Sequence, residues 1–154
     1  MAVPARPFTT FNFKVNLLLP GQSDPVCSAE FSECDGLEMS LEPKTIREGG
    51  SNGRQIHLVG PVSYGQLTLK RGMTPDLGLW RWFDKVQRNR ALRASGEVLI
   101  LSSDRSREDV RFVLTGCLPL KLKAPALNAK DGAVAIEEMQ IAYETLSLPA
   151  AEEG

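Results

Sequence analysis

Three cysteines, Cys27, Cys34 and Cys117, and the lone His57 are the residues of this 154-residue chain best suited to bind a metal or act as nucleophiles. Their spacing argues against both roles. Ligand pairs of structural zinc sites usually lie two to four residues apart, and no C-x-x-C occurs here. Three cysteines also leave one unpaired under any connectivity, so neither a disulfide scaffold nor a resident cofactor is expected. The stretch "REGGSNGR" carries Gly49, Gly50 and Gly53 but no Lys-Ser/Thr pair, and no helix signal follows to complete a phosphate loop. G-x-G-x-x-G is absent, and the G-x-S-x-G match at Gly49 to Gly53 falls in this same stretch with no helix signal after it, unlike a nucleophile elbow. Glu137 and Glu138 are adjacent on an alternating run, so they face opposite ways and would not flank one scissile bond. Trp80 and Trp82 offer stacking surface for a sugar or base, but Trp82 falls at a helical core position. No catalytic residue is expected.

The patterns that must position these side chains are mostly of period two. In "FNFKVNLLL", Phe11, Phe13, Val15, Leu17 and Leu19 alternate with Asn12, Lys14 and Asn16, the signature of a half-buried strand. "CSAEF" and "LEMSLEPK" repeat it on either side of Gly36, where a bend or bulge is expected. Further strands are predicted over 54–59, 62–70, 96–102, 109–117 and 134–148, with "SSDRSRED" as a polar hairpin connection.

One segment has a helical period. Leu79, Trp82, Phe83 and Val86 fall at i, i+3, i+4 and i+7 and predict one apolar stripe packed on the core. Thr74 as cap, Pro75 at the first helical position and Asp76 near the positive pole place the helix at about residues 75–89. Just before it, Lys70, Arg71 and Gly72 end a strand, and Gly72 is expected to turn the corner with a positive φ. On the residues alone, the two charges read as a solvated turn.

Composition frames the fold. At 42% apolar and 24% charged residues, the chain suits a single domain, residues 1–148, followed by a flexible acidic tail, residues 149–154. Roughly eight strands around one helix predict a mainly β protein, a barrel or sandwich whose open end or face the helix covers. Eighteen basic residues nearly cancel nineteen acidic ones, which gives no field to draw the protein to nucleic acid or an anionic membrane. Neither sequence-specific nucleic-acid binding nor stable membrane insertion is expected, and the N-terminus lacks the apolar run of a signal peptide, so assembly in the cytoplasm is the expectation.

Several motifs, in order, carry a resemblance. "FNFKV" (11–15), "FSECDGL" (31–37), "REGG" (47–50), "LTLKRGMTPDLGLWRW" (67–82), Arg93, "LPLK" (118–121) and "VAIEEMQIAYETL" (134–146) resemble the tube proteins of contractile phage tails and phage-tail-like contractile injection systems. Ile46, the pair Cys34-Asp35 and "TGCLP" depart from the commoner residues at those places. The resemblance implies a barrel-like tail tube subunit with one helix, six of which close into a homo-hexameric ring. Rings would stack into a tube inside a contractile sheath, with baseplate, initiator and terminator proteins as partners and cargo in the lumen. It leaves bulk tube subunit and baseplate-proximal initiator both open. A reading of a different class is a secreted β-sandwich that binds or hydrolyses carbohydrate, with Trp80 as platform.

The segment from Lys44 to Pro61 holds four glycines yet also Ile56, Leu58 and Val59, more apolar surface than a solvated loop should show. It is expected to be an arm reaching an adjacent subunit, as the resemblance also implies. Arg47, Glu48 and Arg54 would lie at its rim, Ile56 and Leu58 would supply the buried part, and Gly49 and Gly50 belong to the same expected interface. Lys70 and Arg71 complete the expected interface.

Overall fold

The computed structural model describes residues 12–29, 31–47, 55–130 and 132–149. The chain order is β1 (Phe13–Leu18), β2 (Cys27–Ala29), β3 (Glu33–Asp35), β4 (Met39–Arg47), β5 (Gln55–Tyr64), β6 (Gln66–Gly72), α1 (Gly78–Arg88), β7 (Ala94–Leu101), β8 (Glu108–Lys123), β9 (Ile136–Ala142) and β10 (Thr145–Ser147). Eight strands form one antiparallel sheet, ordered β2-β1-β7-β8-β9-β6-β3, with β10 also on β8. β4 and β5 pair with each other as a separate two-stranded sheet. The mainly β architecture with one helix is as the sequence predicts.

The sheet folds along β8, whose first half pairs with β7 and second half with β9. Gly116, at φ 62°, sits at this bend, and a Cβ there would lie 2.4 Å from the Glu144 side chain. The run predicted as one strand over 134–148 breaks at the same place. After Ala142 the chain leaves the β9 pairing, Glu144 N–H bonds to Thr115 O at 2.7 Å, and β10 continues along β8. Both wings share one core: Val15 and Leu17 of β1 and Leu114 of β8 meet Leu67 and Leu69 of β6 and Met139 and Ile141 of β9. The polar connection between β7 and β8 is organised by Asp104, which accepts from Ser102 Oγ at 2.6 Å and from Ser106 Oγ at 2.7 Å.

Leu79 and Trp82 of α1 are fully buried in that core, and Phe83 and Val86 pack against it partly buried. The helix begins at Gly78 rather than near Pro75. Thr74 accepts the Asp76 N–H at 3.2 Å, and Asp76 in turn accepts the Gly78 N–H at 3.1 Å, so both side chains shape a turn before the helix. The Asp76 carbonyl, which a longer helix would use, accepts instead from Arg71 Nη2 at 3.0 Å. Gly78 presses on Val26, whose carbonyl oxygen would lie 2.2 Å from any Cβ there. Gly72 does not turn the corner: it remains the last residue of β6, opposite Ile136.

Arg71 is the centre of this junction. Its Nε donates to Glu137 Oε1 at 2.5 Å, its guanidinium lies 5.5 Å from the Phe31 ring centroid, and Nη1 is 3.5 Å from Cys27 Sγ. The second Glu137 oxygen accepts from Trp80 Nε1 at 2.8 Å. Arg71 and Glu137 are only 4% and 1% exposed. Burial by itself would lower the Arg71 pKa, but the hydrogen bond and charge of Glu137, aided by Cys27 and Asp76, outweigh it and raise the value. Strand, loop, helix and opposite strand are thus joined through one ion pair.

Removing one partner of such a pair strands the other charge, which costs about 3–5 kcal/mol. Glu137→Ala should therefore lower the urea-unfolding free energy by roughly that amount. Phe83→Ala, at a partly buried site, should cost about 3 kcal/mol, the low end for such truncations, as read from the same unfolding curves. The thiols give a pH test. Burial pushes Cys117 up to about 12 and Cys27 up to about 11 from an ordinary value of 9.0. The unfolded chain releases these protons first, so their contribution is whole below about pH 9 and fades as pH rises toward 11 and 12. Relative to Cys117→Ala, the parent should lose an extra ~1.4 kcal/mol of stability per pH unit above pH 9.

Candidate assembly interface

The β4–β5 hairpin is rooted around Gly36 and Tyr143. Gly36, at φ 105°, takes a conformation that favours glycine, and a Cβ there would lie 1.8 Å from the Gln66 carbonyl oxygen. Asp35 Oδ1 accepts the Gly36 N–H at 2.8 Å. The Tyr143 hydroxyl lies 2.7 Å from the Gly36 carbonyl oxygen and accepts the Glu38 N–H at 3.1 Å, while its ring packs on Tyr64, centroids 5.7 Å apart. A buried tyrosine of the core thus holds both ends of the hairpin where it leaves the body.

Beyond this root the hairpin stands apart from the main sheet. Met39, Leu41 and Pro43 face Tyr64, Val62 and Val59 on one side. Ile46 faces Ile56, and Leu58 faces Lys44, on the other side. The register shifts between Leu41 and Pro43, where Gly60 and Pro61 oppose the single residue Glu42. A Cβ on Gly60 would lie 1.8 Å from the Glu42 carbonyl oxygen, so this bulge requires glycine. Met39 is 61% exposed and Val59 is 80% exposed; Leu41, Ile46, Ile56, Leu58 and Val62 are exposed too. The hairpin presents apolar surface on both faces.

The expected interface residues separate. Ile56 and Leu58 lie on this hairpin, exposed, and Arg47 ends β4 opposite Gln55. Glu48, Gly49, Gly50 and Arg54 lie outside the described residues. Lys70 is half-exposed on the outer face of β6, with its Nζ 3.5 Å from Glu33 of the same chain. Arg71, expected to reach a neighbouring subunit, is instead committed inside its own by the Glu137 pair. Glu137, read from the sequence only as facing away from Glu138, is the partner that sequence reasoning did not assign to Arg71. Arg71 and Glu137 share strand parity with Leu69 and Met139, both buried, and that parity was the available signal. The acidic tail, apart from Pro149, also lies outside the described residues.

The thiols are not poised for chemistry: Cys27, Cys34 and Cys117 are free, and burial raises each above the ordinary thiol range, Cys34 to about 12. Among the described residues no group of three or more His, Cys, Asp or Glu is placed to hold a metal. Among the described residues, too, no helix is long and apolar enough to cross a membrane.

Residues 9–147 match the family of the T4-like virus tail tube protein gp19. No curated protein matches the chain. Among solved structures, a chain of the anti-feeding prophage (AFP) baseplate, determined by cryo-EM with six-fold symmetrisation, is 28% identical at a TM-score of 0.75, covering 99% of each chain. A chain of the sheath–tube complex of the extracellular contractile injection system PVC, in its extended state, is 18% identical at a TM-score of 0.79, covering 94% of this chain and 93% of that one. Hcp1 from Flavobacterium johnsoniae shares the fold more loosely, at a TM-score of 0.50, 16% identity, and 90% and 96% coverage. A match spanning nearly the whole sequence, on a β-rich body with a projecting hairpin, shows that this chain belongs to the T4-like virus tail tube protein family and is a structural inner-tube subunit of a phage tail or contractile injection particle.

Proposed function

We propose that six copies of this subunit close into a ring, that rings stack into a tube, and that the β4–β5 hairpin is the arm by which each subunit holds its neighbours. The hairpin carries this reading, because a two-stranded sheet with exposed apolar side chains on both faces is not stable surface for an isolated protein. The six-fold symmetrised AFP baseplate supports the number six. Arg47, Glu48 and Arg54 are assigned to the rim of this contact, Ile56 and Leu58 to its centre, and Gly49 and Gly50 to the same interface. The role is mechanical. The tube is assembled in the cytoplasm, is enclosed by a contractile sheath between baseplate and terminator, and conducts cargo without reading nucleic-acid sequence.

A second reading is a baseplate-proximal initiator of the tube, favoured by the higher identity to the AFP baseplate chain, 28%, than to the PVC sheath–tube chain, 18%. On the first reading the protein purified alone should polymerise into tubes of many rings, whereas on the second it should stop at one or two.

Replacing residues 46–58 by a short Gly-Ser linker tests the arm. The root at Gly36, Tyr64 and Tyr143 is untouched, so circular dichroism should still show a folded β-rich protein. Negative-stain images should show neither rings nor stacks. Normal rings from the shortened protein would refute the arm.

A further inference from the structure

The helix and the turn after it hold an excess of positive charge. Between Arg81 and Arg93 the chain has five basic residues, Arg81, Lys85, Arg88, Arg90 and Arg93, and one acid, Asp84. Arg81, Lys85 and Arg88 recur at i, i+4 and i+7, so they form one exposed stripe of α1, opposite its buried face. Asp84 pairs with Arg88 at 3.4 Å, whereas Arg81, Lys85 and Arg90 have no carboxylate partner among the described residues. Lys85 and Arg88 lie in the last turn, where the helix dipole favours cations. Arg81 lies in the first turn, where the dipole opposes it and no acid accompanies it. Helix stability therefore does not account for the stripe. Arg81 and Lys85 border an open cleft of about 300 Å³ between α1 and the β1–β2 turn. Asp24 and Asp76 line it too, but Asp76 is turned to Arg71 and the Gly78 N–H, and Asp24 makes no ion pair with either cation.

The departing chain has the opposite sign and leaves in the opposite direction. β10 runs antiparallel to β8, with Thr145 opposite Thr115 and Ser147 opposite Val113, so the chain heads toward Glu108 and away from Cys117. α1 belongs to the Cys117 end. It leads into β7 at Ala94, opposite Cys117, and its first residue presses on Val26, whose N–H bonds to Leu17 O at 2.7 Å near the end of β1. After Pro149 follow "AAEEG", residues that include Glu152 and Glu153 and no base. At the end toward which they leave, Arg107 and Arg111 are already engaged, with Asp109 at 3.3 Å and Glu108 at 2.9 Å.

We infer that the basic stripe of α1 receives this acidic tail from a second copy of the chain, with Glu152 and Glu153 pairing with Arg81 and Lys85 of the partner subunit. This deepens the tube reading and rests on it. Because the tail and the stripe lie toward opposite ends of one subunit, the contact is head-to-tail and can repeat from copy to copy. It also sets polarity. A copy added in reverse would bring cations against cations or acids against acids, which acts against symmetric pairs that would end growth. Opposite charges on the two surfaces further speed the encounter of correctly oriented copies.

The test exchanges charge between tail and helix. Glu152→Lys with Glu153→Lys makes both surfaces basic. Arg81→Glu with Lys85→Glu makes both acidic, and since the first change suits the helix dipole, circular dichroism should remain that of the parent. Each variant alone should need roughly three- to tenfold more protein than the parent to form rings and tubes, read by light scattering and negative stain. That deficit should shrink at about 1 M salt. An equimolar mixture should recover the parent's threshold, because each tail then meets a helix of opposite sign on the other variant. A mixture that fails to recover would overturn the inference; recovery only with all four changes in one chain would put the tail on its own helix. A chain ending at Pro149, whose body is unaltered, should show the same deficit, and its assembling as readily as the parent would overturn the tail contact alone. A parent that forms neither rings nor tubes would sink the tube reading and the contact with it.

Discussion

A buried arginine–glutamate pair sets the terms on which the rest of this subunit folds. Arg71 and Glu137 lie on facing strands, and each would be a severe penalty in the core without the other. Slipping β9 by one residue against β6 would drive Glu138 inward and leave Arg71 without its partner, so the pair fixes the register of this wing. The same glutamate receives the Trp80 indole N–H, and the same guanidinium grips the Asp76 carbonyl. Helix position, corner and sheet register therefore depend on one another.

That dependence explains which features were legible in the sequence. The period-two runs around Val15, Leu67 and Met139 and the helical stripe of Leu79, Trp82, Phe83 and Val86 are local consequences of burial on one side. They declare themselves in any short window. The helix start does not. Thr74, Pro75 and Asp76 have the right types for a cap, but Arg71 diverts the Asp76 carbonyl, and that interaction crosses from the strand before. β3, only three residues long, is defined by its pairing with β6 rather than by any pattern of its own. The sequence resemblance carried the family, whereas the burial of Arg71 depended on recognising that a charged residue occupied an inward position.

The surface that a subunit leaves unsatisfied is of two kinds. The hairpin offers apolar side chains, which reward any contact that excludes water and choose weakly among partners. The outer face of α1 is marked by unpaired cations, which choose strongly and contribute less to raw affinity. A polymer that must be both strong and regular needs each. Balanced charge on the chain as a whole is compatible with this, since the marks are local and the net field between crowded copies stays small.

The bulge at Gly60 carries a thermodynamic implication for how such a polymer grows. By turning apolar residues to both faces of one hairpin, it makes the proposed arm a surface that is dry only when covered on both sides. In the proposed ring, a subunit joining an open arc would cover one side of an arm and leave the other wet, whereas the subunit that closes the arc would cover both. Free energy would then be released unevenly along the assembly path, with a disproportionate share at the last addition, and partial arcs would be sparsely populated between free subunits and complete rings.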